Sequence, residues 1–287
     1  MEWMGKSVGI FLCLSLFSEA GAEKLLLKEA ATPAPVLQGY DVSVNRAPPF
    51  RVWQNDPALS DLYVRPGVTD LCVPATTLNT LLYQAYQRKP VTSGLPFAGV
   101  SPKGEVDSAE LLRWFLSACS LPFKKSSLPD AVECAQKMFQ EKLGSSLKAR
   151  YIRPMQSGFG PDFDYQDRTP NLSDIRAAIE SNHELIGVLA FEEFNSRLGK
   201  WVVASRHAIN VWGISYKHSE PDRMVLYVQN SNREYDHMDF KTPVFDTIQL
   251  EASANGEIRV STLEGELINF PGRVTKLIAL MELDLSR

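Results

Sequence analysis

Three short strings of the 287-residue chain carry the residue types that perform acyl transfer together. Asp70-Leu-Cys72-Val-Pro-Ala-Thr-Thr77 places a cysteine at the mouth of an expected helix. Arg206-His207-Ala-Ile-Asn-Val-Trp-Gly213 places a histidine at the start of an expected strand. Met224-Val-Leu-Tyr-Val-Gln-Asn230-Ser-Asn232 ends a further strand in an amide side chain. The thiolate is the nucleophile, and a free thiol with pKa about 8.5 is mostly protonated at neutral pH. A helix N-terminus favours the anion through its partial positive charge and its unbonded N–H groups. A nearby imidazole takes the thiol proton and later donates a proton to a leaving amine. An Asn or Asp orients that imidazole through its other nitrogen. The backbone N–H of the cysteine is available to an oxyanion.

Helices must hold the first string. Leu78, Leu81, Leu82 and Ala85 recur at helical spacing, which predicts a helix from Pro74 to Gln87. Asp107-Ser-Ala-Glu110 has the form of an N-terminal cap and opens a second helix through Leu116. A third runs from Pro129 to Leu143 with Gly144 as its stop, and a fourth follows Asn171 as far as Asn182. Strands must hold the other two strings. From residue 184 onward the apolar runs are short, β-branched or aromatic, and bounded by turn residues: 185–191, 201–204, 208–216, 224–229, 245–250, 258–262 and 274–283. Helices first and strands second predict an α+β fold rather than an alternating one.

Composition excludes several function classes. Thirty Lys and Arg against 34 Asp and Glu leave a net charge of -4, with no basic excess to attract nucleic acid. Four cysteines without paired short spacing make neither a disulfide scaffold nor a zinc site. His183-Glu184 begins like a zincin helix, but Gly187 replaces the second histidine. Asp162, Asp164 and Asp167 lack the Gly and Glu of a calcium loop. Lys6, the apolar run Val8 to Phe17 and Ala20-Gly21-Ala22 read as a signal peptide over residues 1–22. Residues 23–50 turn Pro-rich and read as an arm or pro-segment. The expectation is therefore a secreted or periplasmic protein, with no stable membrane insertion after signal cleavage. Export favours paired thiols, which leaves a Cys119–Cys134 bridge across two helices open against free thiols.

The three strings resemble the papain-like cysteine peptidases, with the C39-like branch closest. Cys72-Val-Pro-Ala-Thr opening a helix is similar to the nucleophile segment, His207-Ala with Gly213 to the histidine strand, and Val228-Gln-Asn230-Ser231 to the strand end with the orienting Asn. The resemblance spans roughly residues 54–232. It implies a two-lobed fold over 51–287, with a helical lobe at about 51–183 and an antiparallel β lobe at about 184–287. It also implies catalytic roles for Cys72, His207 and Asn230, with Asp236 as the alternative third member. The family's oxyanion Gln usually stands about six residues before the cysteine, where this chain has Pro66. Gln54 looping back, or Arg65, would have to serve instead. Val73 also replaces the family's usual Gly. The resulting expectation is a cysteine hydrolase, a peptidase or amidase working through an acyl-thioenzyme on a peptide or peptide-like substrate, with no metal or organic cofactor. A catalytically silent peptide-binding protein of the same fold and a transglutaminase-like acyl transferase are the alternatives. The sequence carries no sign of oligomeric state.

Overall fold

Local side-chain chemistry sets where the helices begin and end in the computed structural model. It describes residues 25–26, 39–46, 52–64, 69–88, 97–101, 105–144, 146–154, 164–231, 246–264 and 272–286. Helix α1 (Cys72–Arg88) starts at the cysteine itself. Helix α2 (Ser108–Ala118) is capped by Asp107, whose carboxylate accepts from the Glu110 N–H. Helix α3 (Leu128–Leu143) is capped by Ser127 and stopped by Gly144, at φ 61°, where a side chain would be strained. Helix α4 (Leu172–Glu180) opens on a full capping box between Asn171 and Asp174. These ends agree with the sequence expectation to within two residues or so.

Eleven strands are present among the described residues: β1 (Leu25–Leu26), β2 (Val42–Asn45), β3 (Glu105–Val106), β4 (Ser146–Ile152), β5 (Asp164–Gln166), β6 (Glu184–Asn195), β7 (Lys200–Tyr216), β8 (Arg223–Gln229), β9 (Asp246–Ala252), β10 (Ile258–Glu264) and β11 (Arg273–Ser286). The main sheet is nine-stranded and runs β10-β9-β8-β7-β6-β11-β4-β5, with β2 added against β7. All its pairings are antiparallel except β4 with β5. Because β10 also pairs with β11, strands β6 through β11 close into a ring and leave few free edges. The fold is thus mixed α+β, with helices packed against a large, mostly antiparallel sheet.

Two apolar cores follow. One joins α1, α2 and α3 to the facing side chains Ile186, Ala208, Trp212, Ala279 and Met281. The other fills the ring with Leu189, Ile209, Val211, Leu226, Val228, Ile248, Leu250 and Leu277, and is covered by α4. Two strands before residue 184, β2 and β4, pair with the later strands β7 and β11, which the sequence expectation did not anticipate. Strand β4 alternates Leu147, Ala149 and Tyr151 inward with Ser146, Lys148 and Arg150 less buried, a period-two signal inside a stretch read only for helices. Segment 201–204 and segment 208–216 are one strand, because the polar stretch Ser205-Arg206 continues the β6 pairing at the solvent. No described helix is long and apolar enough to cross a membrane. The expected signal peptide, most of the arm, Arg65, Pro66, Asp162 and Asp236 lie outside the described residues.

Candidate functional site

Cys72 is the first residue of α1, and its position is set by the rest of that helix. Between Ala75 and Ala85 the helix is buried on all sides, including Thr76, Thr77, Asn79, Thr80 and Gln84. Thr76, Asn79 and Thr80 hold neighbours. Thr76 Oγ1 donates to the Ala208 carbonyl at 3.2 Å. Asn210 Nδ2 donates to the Thr76 carbonyl at 3.0 Å and to Thr80 Oγ1 at 2.8 Å. The start of α1 is thereby fixed alongside residues 208–210 of β7.

Strand β7 carries His207 on the same side as Ile209 and Val211, at the rim of the ring. The Asn210↔Gln229 pairing, carried one step further, sets Asn230 beside Ile209. His207 and Asn230 are then diagonal neighbours on one face. His207 Nε2 lies 2.8 Å from Asn230 Oδ1, and both residues are buried. With Nε2–H donating to the amide oxygen, a neutral imidazole keeps its lone pair on Nδ1. A bulge at Trp212, between the Val211↔Val228 and Gly213↔Tyr227 pairs, then changes which residues face inward. Trp212 keeps the helix-facing side of Ala208, 5.1 Å from the Tyr83 ring, with Nε1 donating to Gln229 Oε1 at 3.2 Å, and beyond the bulge Ile214 and Tyr216 face the second core.

Gln54 is brought to the same region although 18 residues separate it from Cys72 in the sequence (72 − 54). The 3₁₀ turn Pro57–Leu62, capped by Asp56, reverses the chain between them. Asn79 Oδ1 accepts from the Val52 N–H at 2.7 Å, and its Nδ2 donates to the Val52 carbonyl at 3.4 Å, so α1 pins the segment ahead of Gln54. The Gln54 N–H donates to the Ser231 carbonyl at 3.1 Å, and Ser231 Oγ donates to Gln54 Oε1 at 2.9 Å. This turns the amide nitrogen toward the Thr69 carbonyl, 3.4 Å away and three residues ahead of Cys72. Thr69 Oγ1 donates to the Gln54 carbonyl at 2.7 Å. Asn230 and Ser231, adjacent in sequence, therefore hold His207 and Gln54 respectively.

Burial dominates the electrostatics. Cys72 is only half-buried by surface, yet enough protein surrounds its sulfur to push the thiol pKa up. The backbone amides of Ala208, Val73 and Cys72 itself act the other way, and Asp70 adds to the rise. Burial lowers His207 to about 4, opposed by the hydrogen bond to Asn230. The resting pair is therefore thiol and neutral imidazole at pH 7.

The structure joins His207 to Asn230 and Gln54 to the adjacent Ser231, and it fixes the first turn of α1, which begins at Cys72, beside residues 208–210 that follow His207. Cys119 and Cys134 are joined by a disulfide, Cα–Cα 5.6 Å, and lie away from the site between α2 and α3. Cys72 is the free cysteine among the described residues. Trp53 is buried, and the Tyr63 hydroxyl donates to the Asn55 and Asp56 carbonyls, each at 3.3 Å. Ser231, Thr69, Asn79 and Asn210 are positioning residues that the sequence reading missed; only Ser231, next to Asn230, had a local signal. Among the described residues no group of His, Cys, Asp and Glu is arranged to hold a metal ion. The chain matches no protein-family model and no curated protein.

Proposed function

We propose that this chain is a papain-like cysteine hydrolase that cleaves an amide bond in a peptide or peptide-like substrate. The observation that carries the reading is the His207–Asn230 bond through Nε2. It leaves Nδ1 as the proton acceptor on the strand whose next N–H, that of Ala208, meets the Cys72 sulfur. In the proposed cycle the sulfur attacks the carbonyl carbon while the thiol proton passes to His207 Nδ1. The oxyanion is met by the Cys72 N–H and the Gln54 amide. Collapse expels the amine, which leaves with the proton from His207 and gives an acyl-thioenzyme. Water then attacks, His207 takes its proton, and the thiol is restored with release of the acid.

Neutral resting groups mean that proton transfer accompanies attack rather than preceding it. The same observation favours a second reading, a silent peptide binder, because burial disfavours both the thiolate and the imidazolium. The Cys119–Cys134 disulfide supports an oxidising, exported location. Incubation with a peptide-amide library, read by mass spectrometry, separates the readings. Hydrolysis should appear with the native chain and vanish in Cys72→Ala and His207→Ala. Binding without turnover would favour the silent reading, and products carrying an added amine would favour an acyl transferase. Equal turnover in Cys72→Ala would remove the proposed nucleophile.

A further inference from the structure

Strands β6 and β7 leave the body of the sheet together and end in an apolar tip. Their last cross-strand pairs are Glu192↔Val203, Glu193↔Val202, Phe194↔Trp201 and Asn195↔Lys200. Among the described residues strand β11 accompanies β6 only to the Arg273↔Glu193 pair, and β6 and β7 pair on to Asn195↔Lys200, closed by the turn 196–199. Strand β7 is buried from His207 onward and largely exposed before it.

Side chains alternate along a strand, so Phe194, Trp201 and Val203 share one face, with Leu198 in the turn beyond them. Phe194 is 55% exposed, Leu198 60%, Trp201 47% and Val203 42%. Elsewhere among the described residues only Val64 and Phe123 are comparable. The two rings stand edge to face, 5.8 Å apart. Charge is sorted along the ribbon. At its base Glu192 pairs with Lys276 at 3.0 Å, and Glu193 pairs with Arg273. At its tip Arg197 and Lys200 are exposed, and neither has an ion pair among the described residues.

From these observations we infer that the tip is a reversible docking surface for an anionic lipid bilayer. Trp and Phe settle at headgroup level, Leu enters the acyl boundary, and Arg and Lys meet the lipid phosphates. A protein partner fits less well. A stable interface needs about 800 Å² from each side, and a ribbon end with four half-exposed apolar side chains offers on the order of 400 Å². The net charge of -4 does not oppose docking. Six residues at about 3.4 Å each separate Trp201 from His207, roughly 20 Å, beyond the ~8 Å screening length at physiological salt. This docking does not depend on the proposed hydrolysis.

Flotation of the full chain with phosphatidylcholine vesicles, with and without about one third phosphatidylglycerol, tests the inference. Brominated acyl chains in the same vesicles report whether Trp201 enters them, with Trp201→Phe as the reference. The native chain should partition onto the anionic vesicles, with quenching that is absent in Trp201→Phe. Arg197→Gln with Lys200→Gln should lower partitioning about 25-fold, at about fivefold per cation. Phe194→Ser with Leu198→Ser should lower it on both vesicle types, with the circular dichroism spectrum retained. Residues 8–17 are common to every variant, so only differences between variants count. Unquenched Trp201, equal partitioning of all variants, or a dimer lost in the apolar variant would each overturn the proposal, the last by showing self-association.

Discussion

Two buried polar clusters handle charge in opposite ways. Around Cys72 the groups are neutral and joined to one another: His207 to Asn230, Ser231 to Gln54, and Gln54 to Thr69. Around Glu184 they are ionic and incompletely joined. Arg46 Nη1 lies 3.5 Å from Glu184 Oε1, while Glu184 Oε2 has no hydrogen-bond partner among the described residues. Burial raises that carboxyl to about 7 against the pull of Arg46. Arg46 also donates to the His183 carbonyl at 2.8 Å and to the Ile179 carbonyl. It thus satisfies carbonyls at the end of α4, a structural task. The contrast teaches that a strongly shifted acidity does not mark a reactive site. The Cys72 cluster differs in having a thiol at a helix N-terminus and an imidazole with only Nε2 engaged by Asn230, the pair proposed above as nucleophile and base.

The largest expected effects separate the clusters by what they damage. Cys72→Ala should lower kcat/KM on any hydrolysed peptide by about 10⁴-fold or more, with the urea midpoint nearly unchanged. Arg46→Ala should do the reverse. It strands a buried carboxyl and opens the end of α4, at a cost of about 3–5 kcal/mol in urea denaturation, while the folded fraction keeps its turnover. A Cys72→Ala variant as unstable as Arg46→Ala would collapse the distinction.

The pH dependence of stability sharpens it. His207 titrates at about 4 when folded, against 6.5 in the unfolded chain. The unfolded state therefore takes the proton first, and the contribution of His207 to stability is full above pH 6.5 and lost as pH falls toward 4. Glu184 runs the other way. Its folded value of about 7 exceeds the unfolded 4.5, so its contribution is full below pH 4.5 and lost as pH rises toward 7. Each amounts to about 3 kcal/mol, and they nearly cancel. Glu184→Gln should unmask a rise in stability of that size between pH 4 and 6.5. His207→Asn should unmask a fall between pH 4.5 and 7. A Glu184→Gln profile as flat as that of the native chain would contradict both assignments.

The smallest expected effect is at Asn230. Asn230→Ala should lower kcat by roughly 10- to 100-fold, since it frees the imidazole without removing it. KM and the thermal midpoint should move little. A change in KM alone would mean that Asn230 shapes substrate binding instead of the base.

Much of this was legible in sequence because it is local. Asp107, Asn171 and Gly144 mark helix ends by side-chain or backbone chemistry within a few residues, and Cys119 and Cys134 sit on consecutive helices. The opposing of Cys72 and β7 was only inferable from resemblance, since it depends on Thr76 and Asn210 meeting across 134 residues. The approach of Gln54 to Thr69 was not legible because it depends on the 3₁₀ turn that reverses the chain between them. The bulge at Trp212 left no trace, because one extra residue in an apolar run changes no pattern of residue types. Asp236 lies outside the described residues, and the Asn230 bond to His207 makes Asn230 the orienting side chain in this account.

Intact-mass labelling with a thiol-directed, acyl-transfer electrophile tests the central claim most directly. An adduct mapped by digestion to Cys72, apart from any on Cys13, is expected, absent in Cys72→Ala and slowed about 100-fold or more in His207→Ala near pH 7. Labelling of Cys72 at the same rate with and without His207 would contradict it, because the imidazole would then take no proton from the thiol.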